Sequence, residues 1–148
     1  MERVRLEFPE TELVHRHPLT VRITDMNYGR HLGHDALVSL LHEARNHALA
    51  SLGLGEADLE GHASVVADLA VQFQAEARWP DALVVETAIP APRGKAITAY
   101  HRVLREDDGR TVATARLNLL LLDPVSGRPA VVPEAVSRAI AREAPDVA

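Results

Sequence analysis

A chain of 148 residues with 47% apolar and 25% charged residues fits one soluble domain with a substantial core. Its net charge of −5 argues against nucleic acid or an anionic membrane as partner. The absence of cysteine excludes disulfides, thiolate metal sites and a cysteine nucleophile, and suits a reducing cytoplasm, the expected location.

The N-terminus, MERVRLEFPETEL, lacks the apolar core of a signal peptide. From Val14 to Thr24 the residues Leu19, Val21 and Ile23 alternate with Thr20, Arg22 and Thr24, the pattern of a half-buried strand. Pro18 starts that strand late or puts it on a sheet edge. The period then changes. Leu37, Leu40, Leu41, Ala44, Ala48 and Leu52 recur at helical spacing over Asp35 to Leu52, and Gly53 stands where a helix stops.

Further strands are expected over Ala63–Ala77, Ala82–Ile89, Ala96–Arg105 and Thr111–Leu122, the last two joined by the turn sequence EDDGR. A second turn, DPVSGRP, leads to a short helix over Glu134–Arg142 entered from Pro133. One strand, one long helix and four strands joined by short turns give an α+β fold: an antiparallel five-stranded sheet wrapped around one long central helix. No linker, repeat or 18-residue apolar run divides or anchors the chain, so residues 1–148 read as a single domain.

Between the first strand and the helix lies TDMNYGRHLGHDALVSLLHEAR, Thr24 to Arg45. Asp35 as a helix cap, with Gly29 and Gly33 permitting a tight loop, accounts for part of it. Asp25, Asn27 and His31 are left over. They precede a helix N-terminus, whose free N–H groups can polarise a carbonyl or hold an anion.

This loop, the HEAR of His42–Arg45 and the element order together resemble the hotdog-fold acyl-CoA thioesterases of the 4-hydroxybenzoyl-CoA thioesterase type. That family carries a loop pattern like Asp-x-Asp-x-x-Gly-His-Val-Asn-Asn before a central helix. Asp25 falls on its first Asp, His31 on its His and Leu32 on its Val. The resemblance, spanning about Leu19 to Leu122, implies hydrolysis of an acyl-CoA to acid and thiol without a cofactor. It also implies a homodimer, or dimers paired into a tetramer, with the active site at the subunit interface.

The family's second Asp, taken as its catalytic carboxylate, is Asn27 here, and its Asn-Asn is Gly33-His34. An amide is neither a base nor a nucleophile at neutral pH. Three readings stay open. Asp25, Asp68 or Glu43 supplies the carboxylate; His31 activates water that Asn27 positions; or the protein binds acyl thioesters without hydrolysing them. A hotdog dehydratase is a weaker rival, since it also wants a dedicated acid and base. The candidate catalytic residues are Asn27, His31 and Asp25, with Tyr28, Gly33, His34 and Asp68 as candidate substrate contacts.

No metal site is expected. HEARNH resembles the zinc-protease motif, but His42 and His47 are five apart and diverge by about 140° around a helix. His31 and His34 lack an evident third ligand, and His15 and His17 read as surface residues. No nucleophile elbow, P-loop or dinucleotide fingerprint is present.

Overall fold

The computed structural model describes residues 1–142. Strand β1 (Leu13–Thr20) is followed by helix α1 (His34–Ser51), then β2 (Ala63–Phe73), β3 (Ala82–Ala88), β4 (Ala96–Arg105), β5 (Thr111–Leu122) and α2 (Glu134–Ala141). All pairings are antiparallel, in the order β1-β3-β4-β5-β2. The expected hotdog architecture is therefore present: α1 carries the chain from one edge strand to the other, and three strands joined by short turns fill the gap.

The hydrophobic period of α1 determines what it covers. Leu37, Leu40, Leu41, Ala44, Ala48 and Leu49 are buried, and the helix lies over the β1–β3 half of the sheet. Its first half packs with Val21, Leu83, Val85, Val103 and Ala115. Its last turn joins a second apolar group, including Ile97, Leu119 and Leu121, that α2 closes with Val136 and Ile140. The outer sheet face holds one buried carboxylate. Glu86, 1% exposed, is paired with Arg16 at 2.9 Å and Arg102 at 2.8 Å.

Several boundaries differ from expectation. The first strand ends at Thr20 rather than Thr24, because a 3-10 turn over Ile23–Asp25 intervenes and leaves Ile23 exposed. Pro18 does lie within an edge strand, opposite Val84. The second strand ends at Phe73, not Ala77. His15 and His17 are not simple surface residues. They share the α1-facing side of β1, are half-buried, and the His17 ring stacks on His47 at 3.9 Å. Burial first, then the neighbouring His47 and His15, holds the His17 pKa below the ordinary imidazole value.

Candidate functional site

The loop between β1 and α1 is closed by its own side chains. Asp25 is 4% exposed, and Arg22 engages both its carboxylate oxygens. Oδ2 accepts from the backbone N–H at 2.8 Å and from Nε at 3.2 Å, and Oδ1 accepts from a terminal guanidinium nitrogen at 2.9 Å. Hydrogen bonding from Arg22 lowers the Asp25 pKa against the opposing effect of burial. A carboxylate so engaged holds the turn and is poorly placed to act as a base.

Asn27 and His31 close the next turn. The Asn27 N–H donates to the His31 carbonyl at 2.8 Å, and Asn27 Oδ1 accepts from the His31 backbone N–H at 3.0 Å. With its oxygen committed, Asn27 keeps Nδ2 as a donor without a protein acceptor among the described residues. Gly33 then brings the helix start against this turn. Its N–H donates to the Asp25 carbonyl at 3.0 Å, and a Cβ there would lie 2.5 Å from Asp35 Oδ1 and 3.4 Å from Asn27 Cβ. Gly33 caps α1 without a side-chain bond, and Asp35 lies in the first turn rather than at the cap. The N–H groups of His34, Asp35 and Ala36 thus precede the first intrahelical bond, from Leu37 to Gly33.

His31 Nε2 lies 2.9 Å from Glu76 Oε2, with an Arg78 guanidinium nitrogen at 3.5 Å. The carboxylate contact assigns the proton to Nε2 and leaves the lone pair on Nδ1. Nδ1 faces the space above Gly29, where an added Cβ would lie 3.9 Å from it and 3.5 Å from Asn27 Oδ1. Beside the imidazole is a pocket of about 140 Å³ lined by Leu32, Leu37, Phe73, Ala77 and Val112. A second pocket, about 290 Å³, lies farther along α1 and β2, lined by Val38, Leu41, Val66 and Leu69. It is also lined by buried Arg45 and half-buried Glu56, an ion pair that His42 joins at 3.1 Å.

The structure brings Asp25, Asn27, His31 and Gly33 together, places exposed His34 as the first residue of α1, and leaves two candidates apart. Tyr28 projects fully into solvent at the loop tip. Asp68 stands opposite Asn118, on the sheet face away from α1, and accepts from that amide at 2.8 Å. Glu43 is exposed and bonded to His47 at 2.9 Å, away from the loop. Sequence reading missed Glu76, whose only signal was an acid just after a strand. It also missed buried Arg45, whose place in the helix signature gave no hint of its partner Glu56.

A family model described as the thioesterase-like superfamily matches residues 21–140. An L-carnitine dehydrogenase/betainyl-CoA thioesterase of Agrobacterium fabrum is 30% identical over 117 residues, 78% of this chain. The chain spans only 24% of that relative's length. Among solved structures, a 1,4-dihydroxy-2-naphthoyl-CoA thioesterase from Synechocystis superposes with a TM-score of 0.77 at 17% identity, covering 85% of this chain and 94% of that one. A Staphylococcus aureus protein in complex with CoA gives a TM-score of 0.77 at 18% identity, covering 92% of this chain and 88% of its own.

Proposed function

We propose, from the premise that this chain belongs to the thioesterase-like superfamily, that it hydrolyses an acyl-CoA thioester to a free acid and CoA thiol. The observation that carries the reading is the His31–Glu76 pair, set beside Asn27 and the start of α1 at the mouth of an apolar pocket. The loop motif and the HEAR signature favour the 4-hydroxybenzoyl-CoA thioesterase type within that superfamily, as a single hotdog domain.

In the proposed reaction, water attacks the thioester carbonyl carbon while His31 Nδ1 takes its proton, and Glu76 steadies the resulting imidazolium. The N–H groups at the start of α1, with Asn27 Nδ2, stabilise the oxyanion. Collapse breaks the C–S bond, and His31 returns the proton to the departing sulfur. Asp25 positions the loop. The groove from Phe73 to Val66 along β2 is about 23 Å long at 3.3 Å per residue, enough for an extended acyl-pantetheine chain.

The test is thiol release from a panel of acetyl-, betainyl-, aromatic and long-chain acyl-CoAs, with wild type and Asn27→Asp. Asp at 27 keeps the acceptor for the His31 N–H, loses the donor and adds charge where the oxyanion forms. Turnover is expected to fall by about 10²-fold. A gain would instead make residue 27 a vacated carboxylate position, and acyl-CoA binding without turnover in wild type would make the protein a thioester-binding module.

The proposed partner is a second copy of the chain. β2 is an edge strand, and its α1-facing Val66 and Phe73 are 52% and 58% exposed. An uncovered apolar edge of this kind needs a partner. Wild type is expected to sediment as a dimer or tetramer, and Val66→Lys combined with Leu69→Lys as a monomer; a monomeric wild type would refute the assembly.

A further inference from the structure

Apart from the proposed thioester site, α1 and β1 bring four metal-ligating side chains together on the opposite flank of the helix. Glu43 and His47 are four residues apart and share one helical face, with Nε2 and Oε1 2.9 Å apart. His15 and His17, two apart on β1, share the strand face that meets them. The His17 ring lies 3.9 Å from that of His47, and the His15 ring 5.8 Å from that of His17. One ligand atom from each of His17, Glu43 and His47 falls within 4.8 Å of the others. His15 Nε2 is buried with no hydrogen-bond partner among the described residues.

We infer that His17, Glu43 and His47 form a binding site for a divalent first-row transition ion, with His15 as the adjoining fourth donor. Two imidazoles and a carboxylate are a donor set that suits Zn²⁺, Co²⁺ or Ni²⁺ and disfavours Mg²⁺ or Ca²⁺. Tetrahedral Zn²⁺ with bonds near 2.0–2.1 Å sets its ligand atoms about 3.3 Å apart. The present spacing closes to that by side-chain rotation, turning the stacked rings so that their lone pairs converge. Without an ion, the four side chains hold one hydrogen bond among them, His47 to Glu43, and three crowded imidazoles gain little from one another. An ion there clips edge strand β1 to the central helix. Ligand spacing along the chain did not suggest it, because the ligands come from two elements that only the fold brings together.

The experiment is calorimetric titration of the full chain with Zn²⁺, and with Co²⁺ for its visible absorption, on wild type, His17→Ala/His47→Ala and His62→Ala. Wild type is expected to bind one ion per chain with a Kd of about 10 µM or tighter. Excess Zn²⁺ is expected to raise its Tm by about 5–10 °C, and Co²⁺ to show the absorption of a four-coordinate site. The double variant is expected to lose affinity by about 100-fold while keeping the metal-free Tm and far-ultraviolet circular dichroism of wild type. His62→Ala, which alters a half-buried histidine elsewhere, is expected to bind as wild type does. No binding at 100-fold higher Zn²⁺ than the expected Kd, or equal binding by the double variant, overturns the site. A loss of fold in the double variant transfers the decision to Glu43→Gln, an exposed conservative change expected to weaken binding about 10-fold; unchanged binding there overturns the site as well.

Discussion

His31→Ala is expected to lower kcat for acyl-CoA hydrolysis by about 10²–10⁴-fold while leaving KM within a few-fold, the signature of a lost general base. The side chain's polar bonds are few: its Nε2 meets Glu76 and, at the limit of contact, Arg78. The turn itself is held by backbone groups and by Asn27, so its geometry survives truncation of the imidazole. Glu76→Gln is expected to cost less, about 10-fold, because the amide still accepts from Nε2–H but no longer stabilises an imidazolium. The rate–pH profile separates the two variants. An acidic limb is expected to persist in Glu76→Gln and to disappear in His31→Ala. If His31→Ala keeps turnover within threefold of wild type, the base lies elsewhere. His42 is then the next candidate, since it too is paired with a carboxylate, Glu56, and lines the pocket farther along α1.

The long elements were legible because each has one strong period. The α1 stripe predicted five of its buried apolar side chains, and the Asp-Gly turn fixed the β4–β5 hairpin. What failed was local polar chemistry overriding a period. Val21 and Ile23 continue the alternation of β1, yet the Asp25 carboxylate draws Arg22 into a 3-10 turn and ends the strand. Asp35 has the residue type of a cap, but Gly33 takes that position, where a side chain would push the Asp35 carboxylate aside. The loop half of the candidate site was visible as unexplained polarity. Glu76 was not, since it reaches His31 from 45 residues farther along the chain and no periodicity marks such a pairing. The same holds for Arg45 with Glu56 and for His17 with His47: each pairing depends on which face of α1 meets which neighbour.

Acid is expected to destabilise the fold well before its carboxylates titrate, through a histidine that takes no part in the proposed reaction. His101, on the α1-facing side of β4, is completely buried; its Nδ1 lies 2.9 Å from Thr87 Oγ1, and Nε2 has no partner among the described residues. Burial, reinforced by the nearby Arg45 guanidinium, pushes its pKa down to about 3. In the unfolded chain the same imidazole titrates near 6.5. Between those values the unfolded state binds the extra proton, so stability rises with pH. The contribution is complete above about pH 6.5 and is lost progressively as pH falls toward 3. At about 1.36 kcal/mol per unit it amounts to as much as about 5 kcal/mol, a large share of the stability of an ordinary domain. Urea unfolding at pH 7.0 and 4.5 should therefore differ by about 3 kcal/mol on this account. His101→Leu combined with Thr87→Val removes both partners of the buried hydrogen bond at similar volume, and its stability is expected to change far less over that interval. The slope that remains belongs mainly to His17, whose pKa is also lowered. Asp25 contributes at more acidic pH, because its depressed pKa places its loss below the unfolded value near 3.9. An undiminished slope in the double variant would show that His101 does not govern the acid limb.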